Sequence, residues 1–273
     1  MNEVRQLAFK TYIVDSLRFT KETFTGNKIN SGIILLLGLC LGIIIAINPF
    51  LLKSSPNGVN WNLAYPWWEV IVFLILWILI DVILSGYCIR IFRGGTPPPS
   101  FTNGGTLAKE GFIVQISILV WVVPAFISAC IIRVFHMPQF FWVLFILLIV
   151  PLFVGPVVYF LYAHTGNFFE SIRFSKIQSS IRTFGWRIYL GAWGLGAISF
   201  LVLAIVYSIL AVILSHILPD QIGSIGVSVI AGFAIVIFAV FISKFFTNVL
   251  MNSADMAPVD CEKTSREKNC DQP

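Results

Sequence analysis

Polar positions along the chain fall in short intervals between long apolar runs. Six runs are about 20 residues or longer, the length a helix needs to cross a bilayer; they lie near 31–52, 67–91, 112–132, 139–162, 188–216 and 224–248. Hydrocarbon offers no water to satisfy an open backbone, so each run is expected to be a helix. The pattern predicts an all-α membrane protein: an N-terminal polar segment over 1–30, a six-helix transmembrane domain over 31–250, and a charged tail over 251–273 too poor in apolar residues to fold. The first run opens only after 30 mostly polar residues and no A-x-A-like cleavage site follows it. It is read as a retained membrane helix, not a signal peptide.

Two of the polar intervals have a helical pattern of their own. Before the first span, Phe9, Ile13, Leu17 and Phe24 recur at spacings that form one stripe, with Lys10, Arg18 and Lys21 pointing elsewhere. Before the fifth span, Phe174, Ile177, Ile181 and Phe184 do the same beside Arg173, Lys176 and Arg182. A basic amphipathic helix next to a membrane lies in the interface with its apolar side down. The two segments also share a phrase, "IVDSLRFTK" from Ile13 and "FFESIRFSK" from Phe168, which agrees at Ser, Arg, Phe and Lys and is conservative elsewhere. Four spans separate the copies, so both fall on one face of the membrane, and a parallel repeat is the favoured reading.

Composition agrees with the pattern. The mean hydropathy is +0.89 and 11% of residues are charged, where soluble domains carry about 25%. The formal net charge of +5 could point to nucleic acid, but the placement of the bases explains it better. Lys and Arg gather before span 1, between spans 2 and 3, between spans 4 and 5, and after span 6; only Lys53 and Arg133 fall on the other side. Positively charged short loops stay cytoplasmic, so both termini are expected inside the cell membrane. Trp61, Tyr65, Trp67 and Trp68 then cluster at the outer interface, where aromatic anchors belong. Cys40, Cys88 and Cys130 lie in or near spans, and Cys261 and Cys270 in the tail lack zinc spacing, so unpaired thiols are expected.

The loop after span 2 reads "RGGTPPPSFTNGGT". Three prolines favour extended backbone and the flanking glycines allow turns, but the Gly-Lys-Ser/Thr ending of a phosphate loop is missing. Around this loop, Gly86-Tyr87, Arg90, Arg93, Pro99-x-Phe101, Leu107 and Gly111 resemble the signature of an uncharacterised, mainly archaeal membrane-protein family, the domain of unknown function family 4013. The resemblance extends over roughly 11–248, and the triple proline and Asn103-Gly104-Gly105 depart from it. It implies a six-helix membrane protein and no established activity.

Asp81 is the candidate for intramembrane function. It precedes Arg90 by nine residues, about 13 Å along a helix, and a carboxyl at that depth marks a functional site or a polar tie between helices. No second intramembrane acid accompanies it, which disfavours an aspartyl protease, whose two carboxylates share a proton. His136, His164 and His216 have no ligand spacing and fall on opposite sides, and no Gly-x-Ser-x-Gly elbow is present. Neither a metal, a cofactor nor an enzyme activity is expected. Pro124, Pro151 and Pro156 in spans 3 and 4 read as kinks, or alternatively as the interruptions of a transporter's midplane site. Gly38-x-x-x-Gly42 in span 1 and Ser228-x-x-x-Gly232 in span 6 fit close helix packing.

The function expected is a non-enzymatic scaffold or accessory subunit that organises lipids or a membrane complex. Its candidate contacts with anionic lipids or a membrane partner are Arg18, Lys21, Arg90, Arg93, Arg173 and Lys176. The alternative is a small-solute or lipid transporter built on Asp81 and proline-broken spans 3 and 4.

Overall fold

The structure, a computed structural model, describes residues 2–47, 67–94, 97–135, 140–217 and 220–255. Lys53, Trp61, Tyr65, His136, Cys261, Cys270 and the tail from 256 onward lie outside the described residues. Regular structure among the described residues is helical: α1 (Asn2–Thr25), α2 (Lys28–Ile47), α3 (Trp67–Phe92), α4 (Gly104–Val134), α5 (Phe141–Thr165), α6 (Phe168–Ile172), α7 (Phe174–Phe184), α8 (Trp186–Ile217) and α9 (Asp220–Asp255). Six of these, α2, α3, α4, α5, α8 and α9, are long and apolar enough to cross a membrane. The protein is a multi-pass membrane protein. α4 begins about two turns ahead of the expected 112, because the mixed polar and apolar residues 104–110 continue the helix of the apolar run.

Lipid tails are as apolar as leucine, so spanning helices gain little by hiding apolar surface from one another; close backbone approach and polar ties hold them instead. α2 and α9 meet on the small-residue motifs read from the sequence. A Cβ on Gly42 would overlap Val229, and one on Gly232 would overlap the backbone of Gly38 and Gly42. α9 is the axis of the fold: it packs against α2, α8, α1, α3 and α7.

Buried side chains concentrate toward the end of the bundle where α1, α7 and the 97–103 loop gather, here called the basic end. One core joins Ile89, Phe92, Val157, Ile181, Tyr189 and Phe245, and a second joins Phe19, Ile34, Tyr87, Ile91, Leu107 and Val240. Toward the other end, α3 exposes Ile71, Val72 and Leu74 through Leu79, and α8 exposes Phe200, Leu201, Ile205 and Ile209. Apolar surface of this kind is stable only in lipid.

Pro124, Pro151 and Pro156 do not interrupt their helices; α4 and α5 run continuously through all three, which corrects the picture of proline-broken spans. Proline removes one donor and leaves the preceding turn's carbonyl free. Beside Pro156 the neighbouring carbonyl of Phe153 accepts Tyr189 Oη–H and, at 3.3 Å, Trp193 Nε1–H from α8. Polar donors from an adjacent helix thus reach the backbone next to the proline.

The stripe predicted for α1 divides between the protein and its surface, and Phe24 at its end is half-buried. Leu17 is 56% exposed, while Ser16, Phe19, Thr20 and Thr23 are buried and Phe9 and Ile13 half-buried. The helix seats against protein on a face rich in hydroxyls. Each hydroxyl can be buried because it donates to the carbonyl one turn back: Ser16 to Tyr12, Thr20 to Ser16 and Thr23 to Phe19. α7 follows its predicted pattern more closely, with Ile177, Ile181 and Phe184 buried and Phe174 exposed. The two copies of the repeated phrase differ in shape. The first lies wholly within α1, whereas the second breaks at Arg173, extended at φ −71° and ψ 113°, between α6 and α7. Ser16 and Ser171, at the matching position, are both fully buried.

Candidate functional site

The residues that carried the family resemblance form one construction. α3 and α4 are antiparallel and cross at Gly86 and Gly111: a Cβ on Gly111 would overlap Val82 O, and one on Gly86 would overlap Leu107 O. Only glycine permits that approach. Next to Gly86 in α3, the ring of Tyr87 stacks on Phe101 from the loop, with centroids 4.5 Å apart and planes 3° from parallel. Asn30, at the start of α2, holds the same loop from the other side, donating to Pro99 O and accepting from Phe101 N–H at 3.3 Å.

Arg90 closes the clamp. Its Nη1 donates to Ser100 O at 2.6 Å and Thr102 O at 2.8 Å, and its Nη2 to Asn103 O and Thr106 Oγ1. A planar fork of donors suits such a cluster of carbonyls, where a lysine's single ammonium does not. Arg93 pairs with Glu110 Oε1 at 2.8 Å and donates to Ala163 O, tying α3 to α4 and α5. Glu110 also lies 3.9 Å from Arg90. Both arginines, candidate lipid contacts by sequence, are thus engaged within the protein, Arg90 the more deeply.

Deeper in the bundle, the same crossing serves Asp81. Gln115 sits one turn beyond Gly111, and its Nε2 donates to Asp81 Oδ2 and, at 2.6 Å, to Ser85 Oγ. Ser85 Oγ in turn shares a hydrogen bond of 2.8 Å with Tyr159 Oη on α5. Asp81, Gln115, Ser85 and Tyr159 form a polar chain across three spanning helices. The sequence reading located Asp81 but missed Gln115. Pairing α3 with α4 through their glycines would have brought the amide near the acid, since Gly86 facing Gly111 in an antiparallel pair sets position 81 against 116, next to Gln115.

The remaining candidate cations lie on the surface of the basic end. Arg18, 79% exposed, forms an i,i+4 ion pair with Glu22 at 3.1 Å; Lys21, Arg173 and Lys176 are exposed. The construction does not gather these residues with Asp81. His164 and His216 each place Nδ1 against a carbonyl of their own helix, Phe160 O and Val212 O. Among the described residues, no group of three His, Cys, Asp or Glu side chains could hold a metal ion.

Residues 70–212 match the model of a family described as Protein of unknown function (DUF4013), a span from α3 into α8 that includes the glycine crossing, the clamp and the polar chain. No curated protein and no solved structure matches the chain.

Proposed function

We propose, from the premise that this chain belongs to the family Protein of unknown function (DUF4013), that it is a non-enzymatic scaffold of the cell membrane with both termini cytoplasmic. In this reading the basic end is a platform that organises anionic lipids, and through them a membrane complex. One observation carries it. α1 and α7 both pack on α9 through buried faces, and Arg18, Lys21, Arg173 and Lys176 stay exposed on those fixed helices. Each basic residue held near an anionic surface contributes about 1 kcal/mol of attraction, and docking removes the entropy cost of ordering its helix on contact.

Mass spectrometry of lipids retained after gentle extraction tests this reading. The wild type should carry anionic lipids well above their share of the membrane, and a variant with Arg18, Lys21, Arg173 and Lys176 all changed to Glu should lose that excess. Equal composition in both proteins would overturn the lipid platform. A stoichiometric protein partner would make the chain an accessory subunit.

A second reading, a transporter for a small solute or lipid, is favoured by the chain from Asp81 through Gln115 and Ser85 to Tyr159. Polar side chains from three helices meeting at that depth are a feature of intramembrane sites. Under this reading Asp81→Asn abolishes uptake while leaving expression unchanged; uptake equal to wild type removes Asp81 from the mechanism.

A further inference from the structure

α1 divides lengthwise into three strips. Positions 16, 19, 20 and 23 are buried against the protein, with Tyr12 half-buried beside them. Positions 11, 15, 18 and 22 form a polar edge of Thr, Asp, Arg and Glu, and positions 10, 14, 17 and 21 form an edge of Lys, Val, Leu and Lys. Both edges follow the four–three–four spacing of a helix face. Yet the acids of this stretch, Asp15 and Glu22, fall on one edge alone.

The roll of α1 is fixed by α9. Lys244, the sole cation in the sequence of α9, is buried, and its ammonium lies 4.9 Å from the centroid of the Phe19 ring. Asp15, one turn before Phe19, belongs to the acidic edge. With Ser16, Phe19, Thr20 and Thr23 seated on the protein, the two edges leave that seat on opposite sides of the helix. The Lys-Val-Leu-Lys edge is thereby turned away. Val14 is 53% and Leu17 56% exposed, and Lys10 and Lys21 are exposed and take part in none of the ion pairs among the described residues.

We propose that Lys10, Val14, Leu17 and Lys21 form a lipid-binding edge, on which Val14 and Leu17 enter the bilayer interface and the two lysines hold anionic head groups. The occupant follows from charge complementarity: two aliphatic side chains bracketed by exposed lysines, with Asp15 and Glu22 on the other edge, match an anionic membrane surface. Continuity supports it as well, since α1 joins the spanning helix α2 through the tight turn at Gly26, and Ile29 beyond that turn is 74% exposed. The inference rests on the lipid-platform reading and sharpens it. It shifts the selective contact on α1 from Arg18, which Glu22 already pairs, to Lys10 and Lys21.

The test uses the full-length protein in vesicles of phosphatidylglycerol and phosphatidylcholine. Single cysteines replacing Leu17 or Asp15 carry a fluorophore, with Val14→Cys as the second probe of the lipid edge. Nitroxide lipids should quench the probes at positions 14 and 17, and an aqueous quencher the probe at 15. In parallel, Lys10→Gln and Lys21→Gln should each reduce phosphatidylglycerol enrichment about fivefold, the factor equivalent to about 1 kcal/mol, with Arg18→Gln close to wild type. Aqueous quenching at 14 and 17 overturns the edge, as does shielding from both quenchers, which would mean that protein or a second copy covers it. Enrichment that survives both lysine changes but falls with Arg173→Gln or Lys176→Gln also overturns the edge while leaving the platform standing. Absence of enrichment in the wild type would instead remove the platform.

Discussion

Gln115 uses both hydrogens of one amide nitrogen, one on Asp81 and one on Ser85, so a single side chain satisfies two polar groups inside the bundle. Gln115→Leu would strand Asp81 and leave Ser85 only its bond to Tyr159, and an unsatisfied buried polar group costs about 1–3 kcal/mol. Tyr159→Phe removes only the terminal bond to Ser85, where interhelical hydrogen bonds in membranes average about 0.6 kcal/mol. Unfolding in mixed micelles should therefore rank Gln115→Leu as the more destabilising change; the reverse order would place the main tie at Tyr159. Legibility at this scale depends on how unusual a residue is in its setting. Asp81 was legible because an acid within an apolar run is rare and costly. Gln115 was not, because a lone amide in "GFIVQISILV" has no local consequence until the crossing of α3 and α4 is known. Arg90 and Arg93 read as surface cations because a sequence shows their charge and hides the carbonyls that receive their donors.

Helix faces were legible where their chemistry was apolar or small. Gly38, Gly42, Ser228 and Gly232 announced the seam between α2 and α9, and the buried residues of α7 followed its aliphatic stripe. The seat of α1 was not legible, because beside Phe19 it is made of Ser16, Thr20 and Thr23, whose hydroxyls turn back on their own helix and so become buriable. Periodicity of apolar residues cannot reveal such a face. The α3–α4 hairpin offers a contrast within one residue type. Gly111→Leu should prevent the crossing, since Val82 O occupies the space its side chain needs, and backbone is a barrier that repacking cannot remove. Gly194→Leu, at an exposed position with nothing within 4 Å of the added carbon, should leave the yield of monodisperse protein near wild type. Equal losses in size-exclusion profiles would remove the crossing from its place in the fold. Arg90→Lys should leave the crossing intact but free the loop, raising the rate of proteolysis between Pro97 and Asn103.

Across the whole molecule, packing and charge are both skewed to the basic end. The two cores, the clamp and the docked helices α1 and α7 all lie there, whereas the far halves of α3 and α8 present apolar side chains outward. The six spans were legible as a consequence of chain length against bilayer thickness; the skew was not, because hydropathy is nearly uniform along each run while contact is decided by which helices converge. A scaffold that works from the cytoplasm needs this dense end inside the cell, which is the orientation that the charge distribution predicts. Accessibility of cysteines in intact cells, in a cysteine-free background, checks the orientation directly. Ser179→Cys, exposed on α7, should resist an impermeant thiol reagent, and Ser55→Cys, in the loop between the first two spans, should react. The reverse pattern would point Arg18, Lys21, Arg173 and Lys176 out of the cell. Both helices pack on α9 whichever side of the membrane they occupy, so the fold would survive that result and the cytoplasmic platform would not.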